Sequence, residues 1–506
     1  NKIGISVRSP EGWVEKMLRT TALPYYFADG SNVLDVYAKA KLAEQDSRRG
    51  IPTFFHMECT RLFNHAGSDA GAYQSPEEIN DFIARDPLPP TVHLFLEQGL
   101  LTKADIKEMY MSMHELAQVC LEASCKEPKL QTLSEVKQCL VPAAPAIDTP
   151  SSSAADDDDG KEGKKPGRPL ILKQVINAVL AEALQEDPAV VLSGQDIARK
   201  GGNYGCTDGL LRKFGPSRVQ DSFLDETSIL GIANGFSLNG FLPIVEICYM
   251  AYLHNAIDQI RGEASTLSYF SNGNYRNGMI VRVSGGGLTE FGGHFHNENS
   301  LASLLDIPGL TLLYPSNGDV YAKLFRRARQ LAKAGRVVVV VEPIKAYALR
   351  QFGKHNTPWV FPLPPRGLQL DVGEVVTYGD GQDMAIFSYG NGVRLALEAQ
   401  QILKEEHGIS ATVVESPTLR GASQEPLLQA LQQFPKVLFA DECRFSGCIS
   451  HELVSQLATR PCPSAPPRMN LVAADDCLIP LGEAAHVDGL YLSEKRIVES
   501  ALALAN

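Results

Sequence analysis

The chain has 506 residues, 44% hydrophobic and 21% charged, and at ~150 residues per domain that is room for about three domains with real cores, which excludes a disordered or fibrous protein. Its 47 Lys+Arg against 59 Asp+Glu leave a net charge of −12, the wrong sign for a protein that binds mainly by neutralising nucleic-acid phosphates or anionic lipid. No apolar run approaches the ~20 residues that cross a bilayer, so neither nucleic acid nor membrane is an expected partner.

Asn1-Lys2-Ile3 opens the chain with no initiator methionine, signal peptide or Arg-rich presequence, which reads as a processed chain or a fragment. Residues 33–47 have the pattern of a helix and 53–58 that of a buried strand, and 102–139 read as mostly helical from apolar positions three and four apart. Residues 141–169 lack apolar periodicity and read as a disordered linker with an end-to-end distance of roughly 30 Å. Its closing Lys164-Lys-Pro-Gly-Arg-Pro169 has the look of a minor-groove hook, but beside the preceding Asp run and the acidic chain it reads as a solvated tether.

Beyond the linker, short β-rich runs at 189–192, 243–247, 279–283, 310–314 and 337–342 alternate with helical stretches such as 172–185 and 320–334. That alternation predicts parallel sheet covered by helices on both faces. After the Pro-rich 358–365 a second series begins, with strands at 384–388, 411–415 and 437–440. The ten cysteines contain no CxxC pair, so they suggest neither a disulfide scaffold nor a zinc site and point to a reducing compartment.

Glu226 stands where an extended segment, Asp221-Ser-Phe-Leu-Asp-Glu-Thr-Ser, runs into a small-residue helix. A carboxylate there either stabilises the helix dipole or is held for chemistry at the rim. Tyr249 and Tyr252, three apart, predict one aromatic helix face, which serves core packing or a cofactor platform. The Gly-rich Ser284-Gly-Gly-Gly-Leu-Thr-Glu-Phe-Gly-Gly-His294-Phe-His296-Asn-Glu298 permits close backbone approach to a ligand, and its two histidines invite a metal reading only if the segment is extended. His65 lies in the turn-rich Arg61-Leu-Phe-Asn-His-Ala-Gly-Ser-Asp69, where a lone histidine is most often solvated.

In their order along the chain these signals resemble one family, the thiamine diphosphate-dependent decarboxylating component of 2-oxo acid dehydrogenase complexes, with its α and β subunits fused. The stretch from Arg199-Lys-Gly-Gly-Asn-Tyr-Gly-Cys-Thr-Asp-Gly to Arg218-Val-Gln-Asp-Ser222, the Glu226 segment, Ala256-Ile-Asp-Gln-Ile260, Ile307-Pro-Gly-Leu310 and Glu342-Pro-Ile-Lys345 resemble the β subunit from about Leu170 onward. Asn1-Lys-Ile-Gly-Ile-Ser6, Asp29-Gly-Ser-Asn-Val-Leu-Asp-Val-Tyr37 and the His65 loop resemble the last part of the α subunit, whose front half is absent. The resemblance implies a transketolase-like α/β fold with parallel sheets covered on both faces. Its parts are the tail of a diphosphate-binding domain (1–140), the linker (141–169), a pyrimidine-binding domain (170–360) and a transketolase C-terminal-type domain (370–506).

The family's chemistry is then the expectation here: a 2-oxo acid substrate, thiamine diphosphate and Mg²⁺ as cofactors, release of CO₂ by way of the thiamine ylid, and transfer of the acyl unit to the lipoyl group of an acyltransferase partner. By resemblance Glu226 hydrogen-bonds the aminopyrimidine ring, Leu224, Tyr249 and Tyr252 surround it, and His65 and His296 donate protons around substrate and lipoyl group. Asn1 falls on a metal ligand and Ile3 on a backbone-carbonyl ligand. A free α-amino group, with pKa ~7.7–8, is electrostatically unfavourable beside Mg²⁺, so Asn1 reads as a truncation point. Gly379-Asp380-Gly381 imitates the family's Gly-Asp-Gly metal motif, but no Asn follows in the window at 404–412, and it reads as a turn into the 384–388 strand.

Three departures stand out. Ala66 and Gly67 replace a Ser-Thr pair beside the histidine, so regulatory phosphorylation there is expected to be absent, while Ser75 still matches a secondary site; Gln74 replaces an Arg that braces the loop; and His294-Phe-His-Asn-Glu298 is unusual around His296. Glu342-Pro and the α-loop spacing lean towards branched-chain 2-oxo acids over pyruvate. The resemblance also implies a homodimer of the fused chain, equivalent to α2β2, in the mitochondrial matrix of a eukaryote or otherwise in the cytoplasm. The competing readings are an acetoin-cleaving or ketol-transferring thiamine enzyme on the same fold, a non-catalytic scaffold subunit, and last a metal hydrolase built on His294 and His296.

Overall fold

The computed structural model describes residues 7, 9–63, 71–146, 167–287, 293–461 and 466–506. The chain divides into two compact units, Asn1–Lys129 and Leu130–Asn506. Most of the expected linker, 147–166, lies outside the described residues.

The first unit holds α1 (Trp13–Leu18), β1 (Tyr25–Asp29), α2 (Val33–Arg48), β2 (Phe54–Glu58), α3 (Pro76–Ala84), α4 (Leu88–Glu97) and α5 (Lys103–Lys126). α2 starts at Val33 because the Asn32 carboxamide oxygen accepts from the Leu34 and Asp35 amides. β1 and β2 pair in parallel across α2, so the strand predicted at 53–58 forms. It is not buried as expected: Phe54, Phe55 and Met57 keep 42%, 40% and 41% of their surface. The physical reason is the size of the sheet, since in a two-stranded sheet each strand is an edge with few neighbours to cover its side chains. The helical pattern at 102–139 resolves into α5 and a separate α6 (Leu133–Lys137). α6 belongs to the second unit, where the Cys139 thiol reaches the Asn272 carboxamide oxygen (3.1 Å) and Arg336 Nε donates to the Pro142 carbonyl (2.7 Å).

The described residues of the second unit form two large sheets and a two-stranded antiparallel pair, β9 (Gln351–Phe352) with β10 (Thr357–Pro358). The larger has at its centre β3 (Val190–Gly194), β4 (Val219–Asp221), β5 (Leu242–Ile247), β6 (Met279–Gly285), β7 (Thr311–Leu313) and β8 (Val337–Pro343), all parallel to one another. β3, β5, β6 and β8 are buried along their whole length, as near-continuous apolar runs demand of strands covered on both faces. α7 (Leu172–Glu186) and α14 (Gly318–Lys333) cover the face that carries Leu192, Ile244, Ile280 and Val338. α9 (Glu226–Leu238) covers the alternate residues Val245, Val281 and Val339. The parallel sheet sandwiched by helices is the fold class the sequence predicts.

The smaller sheet has the order β11 (Val376–Tyr378), β13 (Ala411–Glu415), β12 (Met384–Ser388), β15 (Lys436–Arg444), β16 (Arg468–Ala474), with only β11 antiparallel. α15 (Asn391–His407) and α18 (Glu494–Ala505) pack on its Ile386 and Leu438 face. β14 (Thr418–Arg420) leaves this second half and adds an antiparallel edge to β7, so the two halves share a sheet. Gly379-Asp380-Gly381 is the turn expected between β11 and β12, with Gly379 at φ +86°.

Candidate functional site

The candidate residues of the second unit gather where parallel strands end, the edge at which α/β sheets place their ligands. Glu226 follows β4 as the first residue of α9, Tyr249 follows β5, and His296 lies beyond β6 on a single helical turn, α12 (His294–Asn297). The pair Tyr249 and Tyr252 does not share one continuous helix. Tyr249 is extended (φ −144°, ψ 148°) and caps the short α10 (Met250–Leu253), after which the chain tightens through residues 254–256 and widens into a π turn at Gln259–Ala264.

That break turns both tyrosines onto one histidine. The Tyr249 ring meets His296 edge-on at 4.5 Å between centroids, Tyr252 lies 6.2 Å from the same imidazole, and the two phenols are 5.8 Å apart. Glu226 joins through Asn255, whose Nδ2 donates to Glu226 Oε2 (3.3 Å) while its carbonyl accepts from Thr227 Oγ1 (2.7 Å). Glu226 is half-buried, and its other oxygen has no hydrogen-bond partner among the described residues. Leu224 stands out from the surface, 80% exposed. Asn1, Ile3 and His65 lie outside the described residues.

Because α12 is helical, His294 and His296 splay apart, and they do so with different partners: His294 Nε2 faces Glu298 Oε2 at 3.0 Å, His296 faces the tyrosines. No group of His, Cys, Asp and Glu among the described residues is arranged to hold a metal ion. Cys248, beside Tyr249, takes the Asn203 amide on its sulfur and reaches Gln195 Oε1, and burial pushes its thiol up to about 12, so it is held protonated at neutral pH.

Behind the rings lies a layer that sequence reasoning missed. Tyr204 donates its hydroxyl to Tyr249 Oη (3.2 Å) and packs against Tyr347 at 5.3 Å. Tyr347 in turn donates to Glu342 (2.6 Å), as does Tyr321 (2.5 Å). Glu342 grips Arg282 through two bonds of 2.7 and 2.9 Å, and Glu246 takes the third at 2.7 Å. Burial opposes the Arg282 charge, but Glu342 and Glu246 outweigh it and hold the guanidinium well above its ordinary pKa; burial raises Glu246. The available signal was one charged residue inside each of three apolar strands, β5, β6 and β8, since a charge that cannot reach water must find a partner across the sheet.

Residues 169–348 match the transketolase pyrimidine-binding domain and 373–497 the transketolase C-terminal domain. The chain is 27% identical over 340 residues to the pyruvate dehydrogenase E1 component subunit beta of Staphylococcus epidermidis, covering 66% of this chain and 98% of that one. It is 30% identical over 280 residues to the 2-oxoisovalerate dehydrogenase subunit beta of Bacillus subtilis, covering 55% of this chain and 81% of that one. A solved structure described as a split gene transketolase, inactive beta4 tetramer, is 19% identical with a TM-score of 0.49, covering 66% of this chain and 98% of that one.

Proposed function

The chain belongs to the transketolase-type family that includes the β subunits of 2-oxo acid dehydrogenases, a family of thiamine diphosphate enzymes, and from that premise we propose that it decarboxylates a 2-oxo acid oxidatively and passes the acyl group to the lipoyl arm of an acyltransferase partner. In this reading the preferred substrate is a branched-chain 2-oxo acid, Mg²⁺ accompanies the cofactor with Asn1 and Ile3 as its ligands, and the fused chain pairs as a homodimer. The proposal extends to a mitochondrial matrix enzyme in a eukaryote and a cytoplasmic one otherwise.

One observation carries the reading: a half-buried carboxylate, Glu226, one oxygen of which no described residue binds, is tied through Asn255 to the turn that bears Tyr252 and its neighbours Tyr249 and His296. This donor set fits an aminopyrimidine, which needs a carboxylate on its ring edge and aromatic walls. Thiamine diphosphate, when bound, supplies the electron sink for loss of CO₂. Glu226 would orient the ring and hold its exchanging proton at the free oxygen, and Tyr249 and Tyr252 would exclude water from the ring face. His296, with His65, would deliver protons to the reacting oxygens.

The test is Glu226→Gln in protein supplied with thiamine diphosphate and Mg²⁺, assayed for CO₂ release from a branched-chain 2-oxo acid with an artificial electron acceptor. Loss of a general acid–base group predicts a fall of about 100-fold or more with an unchanged circular dichroism spectrum. Turnover equal to the parent overturns the assignment.

A further inference from the structure

The turn that carries His296 is too short to hold itself. α12 has four residues, one turn, and a helix of that length has no stability of its own in water. Its first carbonyl, Gly293, is braced by Asn297 Nδ2 at 2.8 Å, but its orientation is fixed from outside, by the C-terminal end of β15 in the other half of the unit. There Asn299 Nδ2 donates to the Glu442 carbonyl (2.9 Å) and the Leu301 amide reaches Cys443 Sγ (3.4 Å). The charged member of this set is Arg444, whose Nη1 donates to Glu298 Oε2 at 2.8 Å across 146 residues of sequence.

Glu298 is the node. It is 4% exposed, its Oε2 receives both Arg444 and His294 Nε2 (3.0 Å), and its Oε1 accepts the Ser300 amide (2.8 Å). A carboxylate this buried cannot turn to water for a substitute partner, so the segment has one low-energy placement, the one that keeps Glu298 on Arg444. Neither Glu298 nor Arg444 belongs to the ring cluster of Tyr249, Tyr252 and His296 itself.

We propose that Arg444 is a positioning residue for His296, acting through Glu298, so that the C-terminal half of the unit sets the attitude of an active-site imidazole carried by the other half. The proposal rests on the reading that His296 serves the reaction.

The experiment uses the whole chain with Arg444→Met, Arg444→Lys and Glu298→Gln, and follows the histidine Cε1–Hε1 resonances by NMR, that of His296 being identified by its loss in His296→Gln. The Tyr249 ring at 4.5 Å makes this proton a sensor of ring attitude. The expected result is a shifted or broadened His296 signal in Arg444→Met and Glu298→Gln, return towards the parent position in Arg444→Lys, and an unmoved signal from His355, which pairs with Glu405 elsewhere in the unit. Turnover should fall about 5-fold or more in Arg444→Met and recover in Arg444→Lys. A His296 signal at its parent position in both Arg444→Met and Glu298→Gln overturns the positioning role. A moved signal with parental turnover leaves the tether standing and overturns instead the catalytic reading of His296. Should Arg444→Met not fold, Glu298→Gln, which keeps an acceptor for the Ser300 amide, decides by the same criterion.

Discussion

Tyr204 Oη donates to Tyr249 Oη at 3.2 Å, and the same Tyr249 presents its ring edge to His296 at 4.5 Å. A loop residue between β3 and β4 therefore braces a ring that stands at the end of β5. Burial raises the pKa of both phenols, so the bond joins two neutral hydroxyls at neutral pH.

The first prediction follows from that bond. Tyr204→Phe removes one neutral hydrogen bond, worth about 0.5–1.5 kcal/mol, and keeps the packing against Tyr347. Turnover should drop by no more than about 10-fold, with Tyr204→Ala several-fold worse because the ring that wedges Tyr249 against His296 is gone. Steady-state kinetics of the two variants side by side check it, and equal loss in both would show that the hydroxyl alone matters.

A second prediction concerns Arg282. It is 2% exposed between Glu246 and Glu342, and its removal strands two carboxylates among apolar strands. Breaking a buried ion pair from one side costs about 3–5 kcal/mol. Arg282→Met should lose that much in urea unfolding, and adding Glu246→Gln and Glu342→Gln should recover a large part, because the cost lies in the unpaired charges. No recovery in the triple variant would assign the loss to packing.

Ser75, which in the sequence matches a secondary phosphorylation site, caps α3. Its hydroxyl accepts the Glu78 amide at 3.2 Å and its own amide donates to Glu78 Oε2 at 2.8 Å, a reciprocal box. Ser75→Ala should cost about 1 kcal/mol of local stability. Amide exchange at 76–84 would quicken by roughly 5-fold in that variant, while the second unit keeps its protection.

The reach of the sequence is uneven, for a reason that follows from contact range. The strands 384–388 and 411–415 are found to the residue, because a short apolar run bounded by turn residues admits one local answer. Glu226 as the first residue of a helix is equally local. The exposure of β2 is not legible in the sequence, because apolar composition says what could be covered and not whether a neighbour covers it. Tyr204, Arg282 and Arg444 act on partners far along the chain, and only the fold brings those pairs together.

The last prediction is a pH dependence centred on Glu415. This carboxylate is fully buried at the end of β13, accepting from the Ser316 amide (3.0 Å), Ser316 Oγ (2.8 Å) and Tyr378 Oη (2.6 Å). Burial outweighs those donors and raises its pKa from 4.5 to about 7. Between these two values the folded chain keeps a proton that the unfolded chain has lost, so unfolding releases a proton and stability falls as pH rises. At ~1.4 kcal/mol per unit, the contribution lost between about pH 4.5 and 7 is roughly 3 kcal/mol. Glu442, likewise raised to about 7 by burial, acts with the same sign. Glu425 is held down to about 2, chiefly by its hydrogen bond from Arg460, and its effect has the opposite sign and lies below this window. Unfolding midpoints measured at pH 5, 6 and 7 should therefore decline for the parent chain. Glu415→Gln, which cannot titrate, should show a shallower decline, with the variant closest to the parent in stability at the bottom of the range, where the parent's Glu415 is neutral as well. A slope that survives the substitution unchanged would place the titration on other carboxyls.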